Sequence, residues 1–235
     1  MRLIDLNCDA GELEGHAIPP FVTSVNIACG GHAGDGQMME ATLRQALTRG
    51  IAVGAHPSYP DRANFGRVSM RVPCLRESIF GQIESLARVA QRCGAHIAHV
   101  KPHGALYNDA ARDAGLARDI AEAVAHFSRE VVLVGLAGSV MLDIFRDAGF
   151  RTAAEAFADR AYEPDGTLRA RRLPGALIED PEEAARHALE IVDRLQPDTL
   201  CIHGDTPGAE AIAAAVAFAL RRSGFELRSL GVSSG

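Results

Sequence analysis

Residues 96–103, with the sequence HIAHVKPH, indicate the fold most directly. A short run typical of a buried strand ends here in Lys101 and His103. The same order of a strand-like run, then polar side chains, then helical spacing recurs along the chain. Alternating β and α units of this kind predict an α/β fold with a parallel sheet and helical crossovers.

The pattern predicts seven strands and a weaker eighth, over residues 2–7, 22–28, 51–55, 96–101, 131–135, 151–156, 199–203 and 226–230. Apolar side chains at three- and four-residue spacing predict helices over 37–49, 74–93, 114–128, 139–148, 181–195 and 209–223. Asp180 before Pro181, with Glu183 three residues on, is typical of a capped helix start. About 30 residues per unit suits a β/α barrel, so we predict a single domain over 1–235.

Composition excludes several classes of protein. The 235 residues carry 24 Lys and Arg against 30 Asp and Glu, a formal charge of −6 that disfavours nucleic-acid binding by bulk electrostatics. The sequence shows no signal-peptide core and no run long enough to span a membrane. Five cysteines without CxxC spacing indicate reduced thiols. We therefore expect a cytoplasmic protein that binds neither nucleic acid nor membrane.

Lys101 is the only lysine, although the chain holds 24 basic residues. An ammonium group is a compact donor that can lose its proton when desolvated, whereas the guanidinium of Arg is planar and permanently charged. His103 follows two residues later, so both side chains point to the same side of an extended segment. This pair suits acid/base or oxyanion chemistry. The alternative is a satisfied core histidine beside a lysine that reaches to solvent.

Polar residues stand at or just after the ends of six predicted strands. Because the carboxyl ends of parallel strands face one rim, we expect these side chains to converge on one mouth. They are Asn7, Asp9, Asn26, His32, Asp35, His56, Lys101, His103, Glu155, His203 and Asp205.

Two of these strand ends carry carboxylates at suggestive spacing. Asp205 lies two residues beyond His203 and is expected to orient its imidazole. Glu155 and Asp159, four residues apart, would share a face if the segment is helical, as general base and orienting group. A solvated charged loop is the alternative for this second pair. Farther back in the chain, a rigid loop after His56 can aim Arg67 at a carboxylate substrate.

The sequence alone does not decide whether the chain binds a metal ion. His32, His56, His103 and His203, with Asp9, offer nitrogen and oxygen ligands, but the sequence contains neither an HxxxH nor an HExxH helix. The glycine-rich turn at 29–36 follows neither GxGxxG nor GxxxxGK[ST], so no standard nucleotide-binding motif is present.

Six segments of the chain resemble the LamB/YcsF family. They are DLNCDAGE (5–12), NIACGGHAGD (26–35), GAHPSYPDRANFGR (54–67), HVKPHGALYN (99–108), EAFADRAY (155–162) and CIHGD (201–205). The resemblance implies a seven-stranded (β/α) barrel of the glycoside hydrolase/deacetylase type. It also implies opening of 5-oxo-L-proline to L-glutamate, with ATP as co-substrate and with 5-oxoprolinase subunits B and C as partners.

On this family reading, Asp9, Glu155 or Asp159 acts as base, while Lys101 and His103 stabilise charge or donate a proton. Two arginines are candidates for holding the substrate carboxylate, and the other polar residues of the motifs are expected to bind substrate or assist catalysis. The arginines are Arg67 and Arg160, and the other residues are Asn7, Asn26, His32, Asp35, His56, His203 and Asp205. The chain departs from the usual pattern at Gly31, where relatives have a large apolar residue, and in two shorter stretches before 26 and before 201.

Two rival functions remain open from the sequence. The same barrel type would support a stand-alone, metal-assisted deacetylase or amidohydrolase, which stoichiometric metal would favour. The chain can also be a non-catalytic component that presents substrate to a partner. The subunit that binds ATP, the occupancy of a metal site and the formation of a homo-oligomer are not determined by the sequence.

Overall fold

Seven parallel strands close into a barrel in the order of the chain. The structure is a computed structural model that describes residues 2–15, 17–204, 206 and 208–231. The strands are β1 (Arg2–Ala10), β2 (Ser24–Ala28), β3 (Ala52–His56), β4 (His99–Val100), β5 (Val132–Leu136), β6 (Arg151–Phe157) and β7 (Thr199–His203). The ring closes because β1 pairs with both β2 and β7. The predicted seven-stranded barrel is confirmed.

An eighth strand, β8 (Phe225–Leu227), pairs with the first residues of β1, at Arg2–Ile4, outside the ring. The described helices are α1 (Gly36–Thr48), α2 (Leu75–Arg92), α3 (Gly104–Ala110), α4 (Ala114–Phe127), α5 (Val140–Asp147), α6 (Pro181–Leu195) and α7 (Ala209–Arg222). The predicted cap of α6 is confirmed, because Asp180 accepts the Glu183 N–H at 2.8 Å. None of the helices in the described ranges has the length and apolarity needed to cross a membrane.

The sequence did not predict one helix and left the conformation of one segment open. Helix α3 was not predicted, because its seven residues begin at the glycine of the KPHG segment and are too few to show a clear apolar repeat. The segment that carries Glu155 and Asp159 is not helical: Glu155 lies within β6 and Asp159 follows the strand. Residues four apart lie on one side of a strand as well as of a helix, so the spacing could not distinguish the two.

The barrel interior holds polar groups that are paired with one another. Asp5 of β1 accepts hydrogen bonds from the hydroxyl groups of Thr23, Ser24 and Thr199, at 2.7, 2.7 and 2.5 Å. Because an unpaired polar group is costly to bury, this arrangement requires the strands to hold one register. It also extends polar contacts well below the mouth of the barrel.

Gly54 of β3 leaves the space that the His99 ring fills. A Cβ atom at Gly54 would overlap this ring, which is fully buried. We therefore expect Gly54→Ala to lower the free energy of unfolding by about 1–3 kcal/mol through overpacking, measured by thermal or denaturant unfolding. Gly81→Ala in α2 is the matched control, because its Cβ would meet nothing within 4 Å. Equal stability of the two variants would contradict this account.

Candidate active site

A cavity of about 600 Å³ opens at the carboxyl ends of the strands. Its floor and walls come from β1, β3, β4, β6 and β7 and from the loops that follow them. The strand-end residues that line it are Asp9, His56, Lys101, His103, Phe157 and His203. The sequence predicted that these side chains would converge, with the exception of Phe157, which it did not identify.

Lys101 lies at the floor of the cavity and is 2% exposed. Its Nζ is 3.0 Å from Asp9 Oδ1 and 2.8 Å from Glu155 Oε1, and it also donates to Cys201 Sγ at 3.1 Å. Burial alone would lower the pKa of Lys101, but the surrounding Asp9, Cys201 and Glu155 raise it well above its ordinary value. The side chain is thus a fixed ammonium that organises two carboxylates, which makes it unsuited to act as a base.

A layer of amides lies beneath the ammonium. Asn7 donates to Glu155 Oε1 at 3.0 Å and to Thr199, and its Oδ1 accepts from Asn26 at 2.7 Å. Asn26 also donates to Asp9 Oδ1 at 2.9 Å. These hydrogen bonds are made within the protein, so Asn7, Asn26 and Glu155 are placed to position Asp9 and Lys101.

His99 belongs to this layer and was missed from the sequence. Its Nε2 lies 2.9 Å from Asn26 Oδ1. The available signal was its place two residues before Lys101 in the same strand-like run, which puts both side chains on one side.

His203 is held by a carboxylate in the loop that follows the neighbouring strand β6. Asp159 accepts from the His203 backbone N–H at 2.9 Å, from its Nδ1 at 3.0 Å and from the Thr206 hydroxyl at 2.9 Å. Burial would raise the pKa of Asp159, but His203 and these hydrogen bonds lower it to about 2. Because His203 donates its Nδ1–H to Asp159, its Nε2 is available to accept a proton from a substrate or water. The Phe157 ring stacks on the His203 ring, with the centroids 5.5 Å apart. Asp205, the expected partner of His203, lies outside the described residues.

Three imidazoles surround one carboxylate at the wall of the cavity. Glu12 Oε1 is 2.9 Å from His32 Nε2, 3.3 Å from His103 Nδ1 and 3.9 Å from His56 Nε2. The rings of His32 and His103 stack at 3.6 Å. Burial lowers the pKa of His32 to about 2 and holds that of His103 well below its ordinary value, with neighbouring His56 adding to both shifts. Glu12 was missed, although it ends the DLNCDAGE segment.

Arginines form the rim of the cavity. Arg160 is 7% exposed, donates to the Arg169 carbonyl at 2.7 Å and keeps its Nε buried without a hydrogen bond to any described residue. Burial also lowers the pKa of Arg160. Arg67 lies over the Phe65 ring at 4.6 Å and lines the same space. The other rim arginines, which were not predicted, are Arg169, Arg171 and Arg172; the signal was the basic run RARR at 169–172.

Asp35 does not join this site. It is exposed, and its side chain caps α1 by accepting the Met38 N–H at 2.9 Å. The residue type that suggested substrate binding is also a preferred helix N-cap, which explains why the sequence was misleading here.

The fold and site together define a parallel β/α barrel with a polar cavity at the strand ends, where enzymes of this architecture carry their active sites. The chain belongs to the LamB/YcsF family, whose model matches residues 4–234. The family expectation from the sequence is thus confirmed.

Similar proteins are matched over almost their whole length. The chain is 50% identical to the A subunit of a 5-oxoprolinase from Chloroflexus aggregans, over 97% of this chain and 99% of the relative. The corresponding 5-oxoprolinase polypeptide of Chloroflexus aurantiacus is 47% identical over the same shares. The crystal structure of a lactam utilization protein from Thermus thermophilus matches with a TM-score of 0.87 and 42% identity, covering 97% of this chain and 99% of that one.

Proposed function

We propose that this chain is the A subunit of a 5-oxoprolinase and opens 5-oxo-L-proline to L-glutamate, coupled to ATP hydrolysis together with subunits B and C. The carrying observation is one cavity that combines an Asp159-oriented His203, the Lys101 ammonium and a rim of arginines. The names of the relatives support the substrate class and the existence of further subunits.

ATP is needed because a lactam is a poor electrophile. Transfer of the γ-phosphoryl group to the lactam oxygen gives a phosphorylated imidate and ADP. Water then adds to the former carbonyl carbon, and the C–N bond breaks as the nitrogen takes up a proton, which leaves γ-glutamyl phosphate. A second water releases phosphate and L-glutamate. Each step needs a placed proton and a site for anionic oxygens.

The rim arginines suit such an activated substrate. 5-Oxoproline carries one carboxylate, and its phosphorylated form adds further negative charge. Guanidinium groups match both carboxylate and phosphate through paired N–H donors. Arg160 offers a buried N–H that no described residue accepts, and Arg67, Arg171 and Arg172 line the same space. We assign substrate binding to this rim.

His203 is the proposed proton-transfer group. Its Nε2 takes a proton from the attacking water, and the resulting imidazolium returns one to the departing nitrogen, while Asp159 stabilises the charge. Lys101 holds Asp9 and Glu155 in place through its two ion pairs, and it supplies positive charge at the floor, where oxygen develops negative charge. In this assignment Lys101 acts electrostatically throughout the reaction.

The proposed function is tested by assaying the chain alone and with subunits B and C for ATP-dependent glutamate formation. We expect little activity from the chain alone, because its sequence holds neither common phosphate-binding motif, and turnover in the assembled complex. Robust ATP-coupled turnover by the chain alone would contradict this division of labour. Hydrolysis of 5-oxoproline without ATP or partners would identify a stand-alone amidohydrolase instead.

A further inference from the structure

We propose that His56, His103 and Glu12 form a binding site for one divalent transition metal ion of the zinc class, in the wall of the cavity. This inference goes beyond the proposed function and does not depend on it. It is based on which ring nitrogens of His56 and His103 already donate hydrogen bonds to the backbone.

Both histidines have one nitrogen committed to a backbone carbonyl. His56 Nδ1 lies 2.7 Å from the Lys101 carbonyl, and His103 Nε2 lies 3.0 Å from the Phe65 carbonyl. A carbonyl oxygen only accepts, so each of these nitrogens carries the proton. A neutral imidazole has only one N–H, so His56 Nε2 and His103 Nδ1 each carry a lone pair and no proton.

These two lone pairs face each other at 3.0 Å. The Glu12 carboxylate stands 3.3 Å from His103 Nδ1, and Asp9 Oδ2 stands 3.3 Å from His56 Nε2. Lys101 already pairs with Asp9, but the two imidazole lone pairs still face each other beside the Glu12 carboxylate. This arrangement is repulsive unless a cation or an extra proton lies among them. A bound metal ion removes this conflict.

The distances fit ligands of one ion. Zinc binds imidazole nitrogen and carboxylate oxygen at about 2.0–2.2 Å in tetrahedral geometry, which places neighbouring ligand atoms roughly 3.3 Å apart. His103 Nδ1 lies 3.0 Å from His56 Nε2 and 3.3 Å from Glu12 Oε1, which matches this spacing. His56 Nε2 and Glu12 Oε1 are 3.9 Å apart, so the Glu12 carboxylate would move slightly toward His56 when the ion binds. The carbonyl partners on the far ring nitrogens are the outer contacts that metal-binding histidines usually make.

His32 supports the site from behind. Its Nε2 is 2.9 Å from Glu12 Oε1, so it can donate to the carboxylate and fix its direction. The rings of His32 and Phe65 also flank the cluster, since both contact His103. Glu12, His56 and His103 line the cavity, which leaves one side of the ion open to a water or substrate oxygen, as in catalytic zinc sites.

A second group of potential ligands nearby does not qualify. Asp9, Cys201 and His203 also lie within reach of one another. There, however, the Lys101 ammonium already contacts both Asp9 and Cys201. The protein itself supplies the positive charge that this group needs. We therefore propose a metal ion only for the cluster of His56, His103 and Glu12.

The test is metal binding by the isolated full chain, measured without lactam, ATP or partners. Metal-stripped protein is titrated with Zn²⁺ by calorimetry, and with Co²⁺ while its visible absorption is followed. We expect one equivalent per chain and a Co²⁺ spectrum typical of four ligands. His103→Gln and Glu12→Gln should each weaken binding by about 100-fold or more, because each removes a direct ligand. Removal of an outer contact alone weakens metal binding by about 10- to 100-fold. His96→Gln is the control, because His96 is exposed and lies outside the cluster.

Absence of a stoichiometric site in the wild-type chain would overturn the proposal and would assign an extra proton to the cluster. Equal binding by wild type, His103→Gln and His96→Gln would also overturn it, by placing the metal elsewhere. The wild-type Co²⁺ spectrum keeps the test decisive if a variant fails to fold. Because no turnover is measured, failure here is distinct from failure of the 5-oxoprolinase assignment.

Discussion

Replacing His203 with glutamine is expected to lower the turnover of the assembled complex by roughly 100- to 10,000-fold, the range for loss of a general acid/base. Glutamine keeps polar atoms in the pocket but cannot cycle a proton at neutral pH. The measurement is the rate of ATP-dependent glutamate formation with subunits B and C present. Asp159→Asn should cause a comparable loss, because an amide can no longer hold the Nδ1–H tautomer.

His96→Gln is the matched control for this experiment, since its side chain is exposed and does not line the cavity. Thermal melts must first establish that the His203→Gln, Asp159→Asn and His96→Gln variants are folded. A folded His203→Gln variant that turns over within a few-fold of wild type would remove proton transfer from the roles of this residue. It would then favour a chain that presents substrate to a partner.

Lys101→Arg is expected to fold and yet to lose at least ~100-fold in the activity of the complex, the scale for one electrostatic or acid/base group. The Lys101→Arg variant keeps the positive charge, so the loss of activity would come from the different shape of the guanidinium group. In the wild-type chain a single nitrogen reaches Asp9, Glu155 and Cys201 at 2.8–3.1 Å. A planar guanidinium spreads its donors and cannot meet all three from one point.

Arg44→Lys makes the reverse exchange at an exposed salt bridge with Glu40 and should leave the rate unchanged. Circular dichroism and a thermal melt must show that the Lys101→Arg variant keeps its fold. Near-normal activity of that folded variant would mean that only the positive charge of Lys101 matters.

The barrel could be predicted from the sequence because its strands are short apolar runs separated by helices with clear periodicity. Predicted and observed bounds agree closely for β7 and α6, where turn and cap residues mark the ends. Strand β4 was predicted over 96–101, whereas only His99–Val100 lie in the ladder. Pairing with neighbouring strands decides where such a strand begins and ends, and a single segment does not contain that information.

The site was predictable where a residue ends a strand. Lys101 and His203 were found this way, since parallel topology brings strand ends to one rim. Glu12 lies in a charged loop that has the composition of a solvent-exposed surface, and only folding places it 2.9 Å from His32. Asp159 similarly meets His203 across 44 residues of chain. Such partners follow from tertiary packing and leave no local pattern.

The polar barrel interior has a consequence for the order of folding. Asn7, near the start of the chain, hydrogen-bonds Glu155 and Thr199, which are 148 and 192 residues away. Contacts between such distant segments form slowly, because a long loop must close before they contribute. During synthesis, the hydrogen bonds of Asn7 to Glu155 and Thr199 cannot form until β6 and β7 have emerged. Ring closure and assembly of the Lys101 floor are therefore one late, cooperative event.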